Sequence, residues 1–186
     1  RLDKLAIGGG MANTFLYAQG HDVGASYCEK DLAETAREII RLAGQSNCKL
    51  FLPIDIVVAE QMAKGVPTRV RNLGNVDEHE RILDAGPETV ERLKRAMGNS
   101  KTLIWNGPLG VFEIPPFDRG TVEAAKEAAK LAKEGKLVAV AGGGEERRQP
   151  VLVRHDVVDD GAGLDDAGPA DDARHTEAAF PRGAFL

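Results

Sequence analysis

The chain has 186 residues, 42% of them hydrophobic, and a formal net charge of −5. That length and hydrophobic share suit one domain with its own core and exclude a disordered composition. The acidic balance excludes nucleic-acid or membrane-surface binding driven by bulk charge, and no apolar run approaches the roughly 20 residues that cross a bilayer.

In chain order, Leu2 to Ile7 reads as a buried strand ended by Gly8-Gly9-Gly10. Met11 to Gln19 reads as a short helix stopped by Gly20. Glu29 to Ala43 is a clearer helix, with Leu32, Ala36, Ile39, Ile40 and Ala43 at spacings of three and four on one face. Cys48 to Leu52 is the next strand, stopped by Pro53, and Ile54 to Ala59 is a further extended segment in which Asp55 is expected as a structural cap or hinge contact rather than a catalytic base. Lys64 to Glu80 reads mostly as loop, with a short strand around Thr68 to Arg71. Asp84-Ala85-Gly86-Pro87 forms a turn into a helix from Glu88 to Met97, with Pro87 near N1, where its missing N–H costs nothing. A strand at Lys101 to Trp105, a helix from Phe117 to Glu134 stopped by Gly135, and a strand from Leu137 to Ala141 follow. Strands alternating with helices predict an α/β domain, three-layered and Rossmann-like, on a mostly parallel sheet.

After Gly144 the texture changes. From Glu145 onward there is no Lys, Ile, Ser, Asn, Met or Tyr, and Asp pairs stand at 159–160, 165–166 and 171–172. No periodicity extends beyond Val151 to Val158, so 1–144 is expected as the domain and 145–186 as a divergent, poorly packed tail. The start, Arg1-Leu2-Asp3-Lys4, runs into a strand with no initiator Met or signal peptide, and the chain reads as a piece of a longer protein. Cys28 and Cys48 form no CxxC pair, so reduced thiols in a cytoplasmic protein are expected. His21, His79, His155 and His175 share no ligand spacing and read as surface residues.

Trp105-Asn106-Gly107-Pro108-Leu109-Gly110-Val111-Phe112-Glu113 carries the most functional information. It ends an apolar strand in a glycine- and proline-stiffened loop and hangs a carboxylate at its far end. Gly8-Gly9-Gly10 and Gly142-Gly143-Gly144 also follow apolar runs, and open α/β sheets bind ligands where strands end. Three such ends predict one shared crevice. An NAD-type site is disfavoured, because no GxGxxG follows the first strand.

GGGMANTF (8–15), LPIDIVVA (52–59), LDAGPET (83–89), WNGPLGVFE (105–113), FDRGT (117–121) and VAVAGGG (138–144) occur in this order. Together they resemble the C-terminal, nucleotide-binding domain of phosphoglycerate kinase over roughly residues 1–144. The resemblance implies phosphoryl transfer between 1,3-bisphosphoglycerate with ADP and 3-phosphoglycerate with ATP, with Mg²⁺, by a monomeric enzyme of two hinged domains. It implies that Gly9 and Gly10 lie against adenine, that Leu83, Asn106, Pro108 and Val111 line the nucleoside pocket, and that Glu113 accepts from the ribose hydroxyls. Gly142, Gly143 and Gly144 would offer backbone amides to the transferring phosphates.

The chain departs from the family in three ways. The domain that holds 3-phosphoglycerate on a basic patch has no counterpart here, nor does the Gly-Ala-Lys segment whose lysines reach the phosphates. The family's last triglycine is followed by Asp and then Thr or Ser; here Glu145 and Glu146 follow. Glu145 stands where the metal-serving Asp belongs, with a longer and less fixed arm, and Glu146 puts negative charge where a phosphate-facing hydroxyl belongs. The tail is therefore expected to be read in a shifted frame. The chain alone is expected not to turn over substrate, and a non-catalytic nucleotide-binding remnant or a non-functional truncated product is the alternative reading.

Overall fold

A computed structural model describes residues 2–142. In chain order these form β1 (Lys4–Ala6), α1 (Gly9–Ala18), a short 3₁₀ turn (Lys30–Leu32), α2 (Ala33–Gln45), β2 (Lys49–Phe51), β3 (Asp55–Ala59) and β4 (Arg69–Asn72). β5 (Arg81–Ala85), α3 (Pro87–Gly98), β6 (Thr102–Trp105), α4 (Arg119–Lys133) and β7 (Val138–Ala141) complete them.

The two expected crossover units are present. β1 pairs with β2 in parallel, Leu5 opposite Leu50, and α1 and α2 lie between them in sequence. β6 pairs with β7 in parallel, Ile104 opposite Val140, with α4 between. A parallel return needs a connection of this length. Lys4 Nζ donates to the carbonyls of Ala96 and Asn99 at 3.0 and 2.6 Å, tying β1 to the end of α3 just before β6.

Strand alternation builds the layers. Phe51 packs with Leu93, Met97, Ala128 and Leu131 of α3 and α4. Its neighbours Leu50 and Leu52 pack with Phe15, Ala36 and Ile40 of α1 and α2. Period-two side chains thus send two helical layers to opposite faces of one strand layer, the three-layer α/β/α arrangement. Trp105 packs against the α3–α4 core.

The mostly parallel sheet is borne out only for those two pairs. β3, β4 and β5 form a separate antiparallel sheet in the order β4-β3-β5. No helix separates these strands: β4 returns antiparallel beside β3, and the chain then passes β3 to place β5 antiparallel on its other edge. β5 itself was not expected as a strand. Its last two residues, Asp84 and Ala85, resemble turn residues because Gly86-Pro87 follows, yet Leu83, Asp84 and Ala85 are all buried, with Asp84 and Ala85 paired to β3 and Leu83 at the register shift between them and Ile82.

Three boundaries move. α1 begins at Gly9, so two glycines of the first triglycine lie inside its first turn. α2 begins at Ala33, after the 3₁₀ turn, whose tighter winding rotates Leu32 off the buried face and leaves it 43% exposed. α4 begins at Arg119, with Asp118 at the N-cap. Asp55 is the cap it was expected to be: its carboxylate accepts from the Glu88 and Thr89 amides of α3 at 3.0 and 2.7 Å.

Candidate functional site

The loop 105–113 leaves the end of β6 and is held by several hydrogen bonds. Trp105 Nε1 donates to the Gly107 carbonyl at 2.6 Å, curling the loop's first residues. The Gly142 amide, just past β7, donates to the Trp105 carbonyl at 2.9 Å. The Leu109 carbonyl accepts from the Gly9 amide at 3.1 Å, and the Val111 amide donates to the Leu83 carbonyl at 2.8 Å. Gly9, Leu83 and Gly142 therefore meet a single loop, although they come from three different parts of the sequence.

Gly9 sits at the first position of α1 with φ +59°, a backbone that residues with a Cβ rarely adopt. It is the pivot that lets the chain turn from β1 into the helix beneath Pro108 and Leu109. A Cβ on the neighbouring Gly8 would lie 2.9 Å from Leu109 Cδ2 and 3.1 Å from the Pro108 carbonyl, so the two loops are in close backbone contact. Gly10 faces the ring of Tyr27, whose Cδ1 would lie 3.0 Å from an added Cβ; Tyr27 is 69% exposed.

Asn106 and Glu113 are exposed, Pro108 and Val111 half-buried. Leu83 is buried against Ala59 and Phe117, with Val111 packed on the same cluster. Gly142 lies beside Asn106, whose Oδ1 would be 3.9 Å from an added Cβ. Gly143, Gly144, Glu145 and the expected tail 145–186 lie outside the described residues.

Sequence reasoning missed Asp84 and Thr121. Asp84 is buried at the end of β5, and its two oxygens accept from the Ala85 and Gly120 amides, each at 2.8 Å. Burial raises its carboxyl to about 7, against the opposing pull of the Gly120 and Ala85 amides and with a smaller push from Asp118. The Thr121 hydroxyl, in the first turn of α4, accepts from the Leu109 amide at 3.0 Å. Neither has a sequence signal: both act on residues far along the chain.

Among the described residues no group of three His, Cys, Asp or Glu side chains could hold a metal ion. Asp84 is buried and gives both oxygens to amides, whereas Glu113 is open to solvent. Among the described residues no helix is long and apolar enough to cross a membrane.

A family model described as phosphoglycerate kinase matches residues 1–151. The phosphoglycerate kinase of Caulobacter vibrioides (strain NA1000 / CB15N) is 67% identical over 145 residues, covering 78% of this chain and 37% of that protein. That of Rhodopseudomonas palustris (strain ATCC BAA-98 / CGA009) is 48% identical over 186 residues, all of this chain and 43% of that protein. Among solved structures, phosphoglycerate kinase from Coxiella burnetii superposes with a TM-score of 0.74 at 38% identity, covering 78% of this chain and 36% of that one. The crystal structure of phosphoglycerate kinase from Pyrococcus horikoshii OT3 gives 0.60 at 27% identity, covering 76% and 35%. This chain thus spans less than half the length of the curated relatives it matches.

Proposed function

The chain belongs to the phosphoglycerate kinase family, and we propose that its residues 1–144 supply the nucleotide half of a phosphoglycerate kinase. That enzyme moves a phosphoryl group between 1,3-bisphosphoglycerate and ADP, giving 3-phosphoglycerate and ATP. One observation carries the reading: the 105–113 loop is hydrogen-bonded to Gly9, Leu83 and Gly142, so three separate chain segments converge on one loop. Gly9 and Gly10 would bound the adenine, with Leu83, Asn106, Pro108 and Val111 on the nucleoside and Glu113 accepting from the ribose. Gly142, followed by Gly143 and Gly144, would lead the amides toward the phosphates.

Mg²⁺ arrives with the nucleotide, held mainly by phosphate oxygens. Glu145 is the candidate for one protein ligand. The chemistry needs alignment and charge neutralisation more than covalent steps. The described residues supply the alignment; the 3-phosphoglycerate site belongs to a basic domain beyond this sequence. A cytoplasmic, monomeric enzyme fits this role. The same reading sets residues 145–186 apart as a frame-shifted stretch, and an unambiguous in-frame read of the encoding DNA removes that part.

Calorimetry with MgADP tests the nucleotide reading. The chain is expected to bind MgADP, and Glu113→Ala to weaken binding about tenfold, the equivalent of one charge-assisted hydrogen bond. Absence of binding by the unaltered chain overturns the reading. No 1,3-bisphosphoglycerate-dependent ATP synthesis is expected from this chain alone, because transfer needs both halves closed around water-free phosphates; measurable turnover removes the two-domain requirement.

A further inference from the structure

Asp84 has no part in the nucleotide contacts just described, yet it lies where three elements meet. Its carboxylate is 3% exposed. One oxygen accepts from Ala85 within β5, and the other reaches the Gly120 amide in the first turn of α4. The α-carbons of Gly110 and Gly120 approach so closely that a Cβ on either would overlap the Asp84 side chain. Gly110 belongs to the 105–113 loop, so β5, that loop and α4 are all packed around one carboxylate.

The loop's own anchors surround this point. Val111 donates to Leu83, the residue before Asp84; Leu109 donates to Thr121, the residue after Gly120. Burying an ionisable group is costly, and an apolar side chain could fill the same volume. A carboxyl group offers two oxygens, so it can serve two amides from different elements at once.

Resting on the nucleotide reading, we propose that Asp84 is a positioning residue: it seats the 105–113 loop and the start of α4 against β5, so that Asn106, Pro108 and Glu113 are held ready for a nucleoside diphosphate. It acts through those residues and does not itself touch the ligand.

The groups facing it are few. Asp118, at the head of α4, raises its carboxyl further. Asp55, on the neighbouring strand β3, turns its oxygens to Glu88 and Thr89. Arg119 on α4 and Glu113 on the loop are exposed. Asp84 therefore titrates close to pH 7, and its two amide partners report the event.

The test uses the full chain labelled with ¹⁵N. The Ala85 and Gly120 amide signals are expected to shift together with a midpoint near 7, and Asp84→Asn is expected to abolish the shift. In Asp84→Asn, whose amide NH₂ replaces one acceptor by a donor, hydrogen exchange at Leu109 and Val111 should speed up about tenfold or more. Protection in β1 and β2 should persist, which separates a loosened loop from an unfolded protein. Gly120→Ala, which keeps the carboxylate but pushes on it, should act in the same direction. MgADP affinity should fall about tenfold or more in both variants.

Unchanged exchange at Leu109 and Val111 in Asp84→Asn, or no shared midpoint near 7 in the unaltered chain, overturns the proposal. If the unaltered chain binds MgADP and Asp84→Asn binds it equally well, the nucleotide reading stands and the role of Asp84 in it falls. If the unaltered chain binds no MgADP, the nucleotide reading falls, and Asp84 as its positioning residue falls with it; the exchange data then say only whether the loop is seated.

Discussion

The starts of α3 and α4 are built on one plan with different wiring. Each has a glycine and a threonine in or beside its first turn, and each takes a buried aspartate from an adjacent strand of the same antiparallel sheet: Asp55 of β3 for α3, Asp84 of β5 for α4. Such a carboxylate accepts amides that the helix leaves unpaired and lies at the positive end of its dipole. At α3 the knot closes on itself. Asp55 takes the Glu88 and Thr89 amides and the Thr89 hydroxyl, and that hydroxyl accepts in turn from the Ile54 and Asp55 amides. At α4 the knot opens outward. Asp84 takes one helix amide, and the Thr121 hydroxyl reaches across to Leu109 in the 105–113 loop. The first arrangement holds a helix on a sheet. The second holds a helix, a sheet and a ligand-facing loop in series, so the same chemistry carries structure in one place and site geometry in the other.

The largest expected effect is the pH dependence that Asp84 gives to the open knot. In the unfolded chain Asp84 gives up its proton near 3.8; in the folded chain it keeps it to about 7. Its raised value means that the protonated carboxyl favours folding. That contribution is full below about pH 4 and is lost as pH rises through about 7, reaching about 4 kcal/mol at roughly 1.4 kcal/mol per unit. Urea unfolding at a series of pH values is expected to show this fall in the unaltered chain and not in Asp84→Asn. The difference between the two curves cancels the other carboxylates, and parallel curves would show that Asp84 ionises as freely folded as unfolded.

Next in size is the closed knot. Asp55→Ala leaves the Glu88 and Thr89 amides and the Thr89 hydroxyl without their acceptor and should cost about 3 kcal/mol. Gly86→Ala should be comparable, because its Cβ would overlap the Asp55 carboxylate. In both, amide exchange in the 105–113 loop should stay within about twofold of the unaltered chain under conditions where the fold persists. Loop exchange that accelerates with the loss of stability would mean that the two knots are one.

Much of the scaffold is legible in the sequence for the same reason that the two knots are not. β1, β2, β6 and β7 are short apolar runs closed by Pro or Gly, and α2, α3 and α4 show helical spacing, so local pattern suffices. The 105–113 loop stands out because Asn-Gly-Pro breaks an apolar strand. The antiparallel sheet is legible only in part: β3 and β4 fall on expected extended segments although β4 carries Arg69 and Arg71, whereas β5 buries Asp84, which defeats an apolar pattern. Both arginines are explained by Glu80, 1% exposed, which each reaches at 3.0 Å. Long-range carboxylate–amide contacts leave no period in the chain. Asp55 could still be expected as a cap, because a lone acid in an apolar strand needs donors; Asp84 sits before Gly-Pro, where an acid needs no special reason.

The smallest pair of changes compares the two knots most directly. Thr89→Val and Thr121→Val each remove one hydroxyl and keep the branched shape. At α3 the hydroxyl is both donor to Asp55 and acceptor for two strand amides, so its loss should cost about 2 kcal/mol. At α4 the Thr121 hydroxyl accepts from Leu109, and the cost should be about 1 kcal/mol. The smaller loss should have the more specific consequence. Exchange at the Leu109 amide should accelerate several-fold, by about the factor that 1 kcal/mol allows, in Thr121→Val and not in Thr89→Val. A Thr121→Val protein whose Leu109 stays protected would cut the series connection between α4 and the loop, leaving the Gly9, Val111 and Gly142 bonds to hold the loop.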